Sequence, residues 1–187
     1  MIFLKIIKGI IQELKQLKFN LIINYPNSFL GTKIRKSYWR SHLYKCGKNC
    51  SFAQYSTIGF PEKVEIGDNF TFQNNCHMTA AGSSGIFIGN HVSIGRSTFI
   101  HGSNHNFDDL DKPILEQGTS ENVINYNKKK YSIVIEDGVW IGSNVVILSG
   151  THLKKGSIVS AGSVVSSTFI ENAIIIGNPG RLLKVRT

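Results

Sequence analysis

Residues 135–165, IEDGVWIGSNVVILSGTHLKKGSIVSAGSVV, decide the fold. Aliphatic side chains recur there at every sixth position: Ile135, Ile141, Ile147, Leu153, Val159 and Val165. Four positions after an aliphatic residue stands a small or apolar one: Val139, Val145, Thr151, Ser157 and Ser163. A period of six fits neither the 3.6 of a helix nor a long run at the strand period of 2. It fits a triangular coil in which each side uses one six-residue unit. The aliphatic residue then points inward, the small one sits near a corner, and successive coils stack over a continuous core. A sandwich of short strands would need turn signals every 8 to 12 residues or so, which a strict six does not supply.

The same period runs backwards through the chain. It is carried by Phe52 and Ile58, by Ile66, Phe72 and Met78, and by Ile88, Ile94 and Ile100. Glycine follows the aliphatic residue at Gly59, Gly67, Gly89, Gly95 and Gly142. The register breaks twice. Four extra residues, Gly82-Ser83-Ser84-Gly85, separate Ile66 from Ile88 beyond one full coil. Between Ile100 and Ile135 a far longer insertion, residues 104–132, should project as a loop, and loops of that length in a compact array are usually functional. The expected domains are therefore 1–51, a helical and mixed segment; 52–178, the coil; and 179–187, a tail.

The chain has 187 residues, a hydrophobic fraction of 41% and a formal charge of +9, with 18 glycines and 4 prolines. That suffices for one main core, and the charge points to an anionic partner. The basic residues read as scattered, without a helix-turn-helix or a stacking-aromatic motif, so nucleic acid is not expected. Cys46, Cys50 and Cys76 are too few and too oddly spaced for a disulfide framework or a zinc site. The sequence shows no signal peptide and no bilayer-spanning run, which implies a cytoplasmic protein.

Residues 1–23 place Phe3, Ile6, Ile7, Ile10, Ile11, Leu14, Leu17 and Leu21 at helical spacing, with lysines elsewhere on the turn. Two readings stay open: a basic interfacial helix resting on a membrane, or a helix packed on the body or on a neighbouring subunit. Asn24-Tyr25-Pro26-Asn27 reads as a turn, and Arg35, Lys36, Trp39 and Arg40 mark a short basic, aromatic, helix-compatible segment. Of the six histidines, His101 and His105 stand at the root of the long insertion. An imidazole on a rigid base beneath a flexible segment suits a general base, although solvated loop histidines are common.

The hexapeptide period, the insertion after Ile100, and the runs Val139–Ile147, Val159–Val165 and Ile176-Gly177-Asn178-Pro179-Gly180-Arg181 together resemble the hexapeptide-repeat acyltransferases. The chain looks closest to the galactoside and maltose O-acetyltransferases and to the surface-polysaccharide O-acetyltransferases of capsule and lipopolysaccharide clusters. The resemblance covers residues 50–187. It implies an all-β, left-handed parallel β-helix, a homotrimer with sites between prisms, acetyl-CoA as co-substrate, no metal, and a sugar or glycan acceptor. It implies His105 as general base and the Ser143 amide as oxyanion donor. It places Trp140, Gly142, Ser143, Ala161, Gly162, Ser166, Ser167, Arg181 and Lys184 along CoA, and Asn75 and Asn104 near the acceptor. The chain departs from the family where relatives often carry a threonine–lysine pair, having Ser166-Ser167 instead. Its loop, with Lys128-Lys129-Lys130 and Asp108-Asp109-Leu110-Asp111, is longer than in the compact sugar enzymes, which favours a larger or anionic acceptor. Other readings remain on the sequence alone: an N-acetyltransferase on an amino or nucleotide sugar, a metal-dependent lyase of the γ-carbonic-anhydrase kind, and a non-catalytic spacer.

Overall fold

The computed structural model describes residues 2–187, with side chains from Leu4 onward; Phe3 of the apolar stripe lies outside the described side chains. Two helices, α1 (Ile2–Asn24) and α2 (Phe29–His42), precede a parallel β-helix. Ser28 caps α2, its hydroxyl accepting from Gly31 N at 3.1 Å. The segment read as mixed is thus largely helical. Its spacing of Gly31, Arg35 and Trp39 by fours puts all three on the buried face.

The β-helix has three sheets, visited in turn by every coil. The first is built from Lys45–Cys46, Val64–Ile66, Gly85–Ile88, Lys129–Ile135, Thr151–Leu153 and Thr168–Phe169. The second holds Ser51–Phe52, Thr71–Phe72, Ser93–Ile94, Trp140–Ile141, Ile158–Val159 and Ala173–Ile176, and Arg181–Val185 closes it as an antiparallel edge. The third holds Thr57–Gly59, His77–Thr79, Phe99–His101, Val146–Leu148 and Val164–Val165. The hexad residues align as rungs, for example Ile58, Met78, Ile100, Ile147 and Val165 in the third sheet. All of them are buried, and so are the small residues four positions on. The corner hydroxyls keep partners where they are buried: Thr98 Oγ1 donates to Gly142 O at 3.0 Å, and Ser157 Oγ to Lys154 O at 2.7 Å. An unpaired hydroxyl there would cost about 1–3 kcal/mol.

The corners turn through left-handed residues. Asn49, Asn69, His91, Gly138, Gly156 and Asn172 do so between the first and second sheets. Tyr55, Asn75, Ser97, Asn144 and Gly162 do so between the second and third. Asparagine and glycine dominate both columns because they tolerate positive φ best.

The coil begins earlier than Phe52, at Lys45–Cys46, where the inward residue is a cysteine rather than an aliphatic. The long insertion leaves the corner between the third and first sheets. Asn104–His105 pairs antiparallel with Thr119–Ser120, and Ile124–Tyr126 pairs with Lys129–Tyr131 through a turn in which Asn127 and Lys128 have positive φ. The chain regains the first sheet ahead of Ile135, because Ile133 also points into the core at the strand period of two.

The predicted apolar stripe of α1 does not pack on the body of the chain. Leu14, Leu17 and Leu21 are exposed, and α1 meets α2 through Phe19, which lies 5.7 Å from Tyr38 and 6.2 Å from Trp39.

Candidate active site

Three histidines are occupied structurally. His42 Nδ1 lies 2.7 Å from Tyr38 O, His91 turns a corner, and His152 Nε2 lies 2.7 Å from Glu136 Oε1. The other three, His77, His101 and His105, gather along the third sheet and the insertion that leaves it. The outward face of that sheet carries a ring column. His77 stacks on Phe99 with centroids 5.5 Å apart and planes at 16°, and Phe99 stacks on His101 at 5.4 Å and 11°. His77 Nδ1 lies 2.6 Å from Thr57 Oγ1, while His101 Nδ1 is buried and finds no partner among the described residues. Burial first, and then the neighbouring His101, holds His77 below its ordinary pKa; burial and then His105 do the same to His101.

His105 itself is exposed, on the two-residue strand that opens the insertion. That strand is fixed at its root. Gly102 N donates to Thr79 O at 2.9 Å, and a Cβ at Gly102 would stand 2.6 Å from Ser132 Oγ. On the returning limb, the Glu121 carboxylate accepts from Ser83 N (3.0 Å), from Ser84 N (3.0 Å) and from both hydroxyls. Asn122 N then donates to Ser149 Oγ at 2.7 Å. The insertion is therefore pinned to the coils on either side of it.

Burial raises the pKa of Glu121, but the bonds from Ser83 and Ser84 outweigh it and leave the carboxyl below its ordinary value. A carboxyl with a lowered folded pKa stabilises above its unfolded value and loses that contribution as pH falls through the folded one. Amide exchange over residues 104–122 should therefore quicken as pH drops below 4.5, after correction for intrinsic rates. Glu121→Gln should bring that quickening, roughly tenfold, to neutral pH. Equal exchange in the variant and the parent at neutral pH would show that another group holds the insertion.

Ser143 stands at the other edge of the third sheet, in the corner that follows the second. Gly95 and Gly142 stack there in successive coils, against the Ser160–Ala161 backbone of the next. A Cβ on Gly95 would lie 2.6 Å from Ser143 N, and one on Gly142 would lie 2.7 Å from Ala161 N. The corner thus packs backbone on backbone, which glycine alone permits. Ser143 O accepts from Gly162 N at 3.0 Å, and no described residue takes the Ser143 N–H. Trp140, 56% exposed, lies just before this corner on the second sheet. Ala161 and Gly162 are exposed beside it, and Arg181 and Lys184 sit on the closing strand of the same sheet.

The sequence-derived residues therefore fall into two groups. Asn75, Trp140, Gly142, Ser143, Ala161, Gly162, Arg181 and Lys184 belong to the second sheet or to the corner between it and the third. Asn104, His105, Ser166 and Ser167 belong to the opposite edge, where the third sheet passes to the first. Three residues of strand, about 10 Å, separate the two edges. One chain does not bring His105 and Ser143 together. Ser166 and Ser167 lie away from the other residues expected along CoA. Sequence reading missed the His77–Phe99–His101 column, whose members are 22 and 2 positions apart. The first of those spacings is one coil plus the four-residue insertion at Gly82, and that sum was the available signal.

The family model described as "Bacterial transferase hexapeptide (six repeats)" matches residues 132–167. These residues belong to the hexapeptide-repeat transferases. The galactoside O-acetyltransferase of Lactococcus lactis is 32% identical over 136 residues, 71% of this chain and 58% of the relative. The putative lipopolysaccharide biosynthesis O-acetyl transferase WbbJ of Escherichia coli is 28% identical, covering 73% of this chain and 80% of the relative. The chain thus spans less than two thirds of the first relative and most of the second. A solved hexapeptide-repeat acetyltransferase, VCA0836 of Vibrio cholerae, superposes with a TM-score of 0.73 at 28% identity over 90% of this chain and 86% of its own. That protein has also been solved with acetyl coenzyme A bound.

Proposed function

We propose that the protein is an acetyl-CoA-dependent O-acetyltransferase that modifies a sugar hydroxyl of a surface polysaccharide or its precursor. The observation that carries this reading is the split between the two edges of the third sheet. One edge offers an exposed histidine on a pinned insertion. The other offers a free backbone N–H in a glycine-lined corner, next to an exposed tryptophan, with two cations three strand spacings further along the same sheet. Each is half of an acyl-transfer site, and a homotrimer of such prisms would set one chain's His105 against its neighbour's Ser143.

In that site His105 takes the proton of the acceptor hydroxyl as its oxygen bonds to the thioester carbonyl carbon. The Ser143 N–H holds the oxyanion, a contribution of about 3 kcal/mol in comparable sites. Collapse breaks the carbon–sulfur bond, and His105 returns the proton to the departing thiolate. No acyl-enzyme is needed. Ala161 and Gly162 leave backbone accessible for the amides of the pantetheine arm, while Gly142, buried beneath the corner, bears on CoA only by shaping it; Trp140 covers that arm, and Arg181 and Lys184 suit its phosphates. Asn75 and Asn104 would meet the acceptor at the two edges. Ser166 and Ser167 would reach CoA only from the far edge. The lipopolysaccharide relative and the long insertion favour a glycan over a small free sugar, in the cytoplasm, where acetyl-CoA is made.

The test is direct. Coenzyme A at a hundredfold excess over its Kd should add about 2.7 kcal/mol of stability, raising Tm by roughly 5–10 °C for a chain of this size. No shift would remove the reading's main support. Comparing hydroxyl with amine acceptors then separates O- from N-acetylation.

A further inference from the structure

Helix α1 presents an apolar face that none of the described residues covers. From Leu4 to Lys18 every side chain is exposed. The helix is held at its end: Ile23 is buried, its carbonyl accepts from Tyr55 N at 3.1 Å, and Asn24 O accepts from Gln54 Nε2 at 2.7 Å. On a helical wheel Ile6, Ile7, Ile10, Leu14, Leu17 and Leu21 fall within an arc of roughly 100°. Phe19 and Ile23, which anchor the helix, point to the opposite side. The anchoring therefore aims the apolar arc away from the protein. Where α1 meets α2 the arc continues into a groove of about 350 Å³ with Tyr25 and Ile34 on its far wall.

The charge is distributed in the same sense. Residues 1–61 hold ten lysines and arginines against one acid, Glu13, and so carry +9. The remaining 126 residues hold eleven of each sign and are neutral. The cations are spread along the whole chain, but the net positive charge is thus gathered on the two helices and the first coil. Lys5, Lys8, Lys15 and Lys18 are all exposed on α1. Among the described residues no helix is long and apolar enough to cross a membrane.

We propose that α1 seats the protein on an anionic lipid surface, lying in its plane with the apolar arc at the headgroup–acyl boundary and the lysines on lipid phosphates. A second copy is the poorer occupant of this face. Pairing two such helices would set the four lysines of one against the four of the other, with Glu13 alone on each to answer them, and helical seams rely on complementary flanking charges. The placement deepens the acetyltransferase reading, on which its purpose rests. Trp39 of α2 packs on Phe52 of the first coil at 6.3 Å, so the helices cap that end of the prism. His101 stands two strand spacings further along the third sheet, about 10 Å. A glycan linked to a lipid would approach His105 from the capped end of the prism.

The experiment is co-sedimentation of the full chain with vesicles of phosphatidylcholine alone, and of phosphatidylcholine with phosphatidylglycerol in equal parts. We expect at least tenfold more bound to the anionic vesicles, falling as salt rises. The pair Ile10→Ser and Leu14→Ser should cut this at least tenfold with Tm unchanged, since both side chains are exposed. A second variant, Lys8→Gln with Lys15→Gln, should weaken binding to the anionic vesicles selectively. Equal partition onto both vesicles, or none onto either, overturns the proposal. So does self-association that the Ile10→Ser, Leu14→Ser pair abolishes, which would give the face to a second copy. Neither acceptor nor acetyl-CoA is present, so failure of the acetyltransferase reading would leave this result standing, and the reverse holds too.

Discussion

His105→Ala is expected to lower acetyl transfer by roughly 10²- to 10⁴-fold, the usual worth of a positioned general base. The loss should fall on the rate and not on the fold. The His105 side chain is exposed, and the strand it sits on pairs through backbone with Thr119. Coenzyme A should stabilise the variant as much as the parent, because the residues expected along CoA near Ser143 lie at the other edge of the sheet. A variant that keeps the parent's rate would show that another group takes the proton; His101, four residues earlier and buried at Nδ1, is the neighbour to examine next. The division of the site can be tested with the same variant. Gly95→Ala would drive a Cβ to 2.6 Å from Ser143 N and displace the amide without touching His105. If one chain's histidine works with its neighbour's amide, mixing the two inactive variants, unfolded and refolded together, restores part of the activity. If both groups act within one chain, the mixture stays inactive.

The sequence disclosed the coil because inward positions repeat at six wherever a large aliphatic residue fills them. It disclosed less where other residues do that work. Cys46 carries the first inward position, so the start of the first sheet was placed late. The two breaks in register located the insertion and with it His105. The ring column of His77, Phe99 and His101 was hidden because a stack across strands depends on the length of each coil. The α1 stripe could be found by its spacing, but its direction could not. The side that Phe19 and Ile23 take depends on where α2 stands. The basic residues are dispersed, and what the count of cations hid is where acids fail to balance them: sixty-one residues are long in sequence but fold into one end of the prism.

Arg35→Ala should be the most destabilising single change outside the β-helix core, costing about 3–5 kcal/mol and lowering Tm by roughly 10 °C. The guanidinium is fully buried, and no carboxylate pairs with it among the described residues. Oxygen acceptors take its place. Nε donates to Phe52 O at 2.8 Å, one terminal nitrogen donates to Tyr25 O, and the other to Asn27 Oδ1 at 2.7 Å. Those acceptors belong to the first coil and to the turn between the helices, so one planar fork joins α2, the turn and the coil. Burial pulls the pKa of Arg35 down from its ordinary value, yet a guanidinium starts so high that it stays charged. Removing it relieves that desolvation but strands the acceptors and leaves a void, and the second effect should win. Arg35→Lys should recover little, because an ammonium is a point donor and cannot span three directions. Arg35→Met fills the volume without donors, and it separates packing from hydrogen bonding. If Met is as stable as the parent, the fork contributes nothing net. If Met falls with Ala, the bonds are what hold the cap. Urea unfolding gives the free energies, and limited proteolysis around residues 25–45 shows whether the helices leave the prism first. The same loosening would free α1 from its anchor at Ile23, so the apolar arc would lose its fixed direction while keeping its composition.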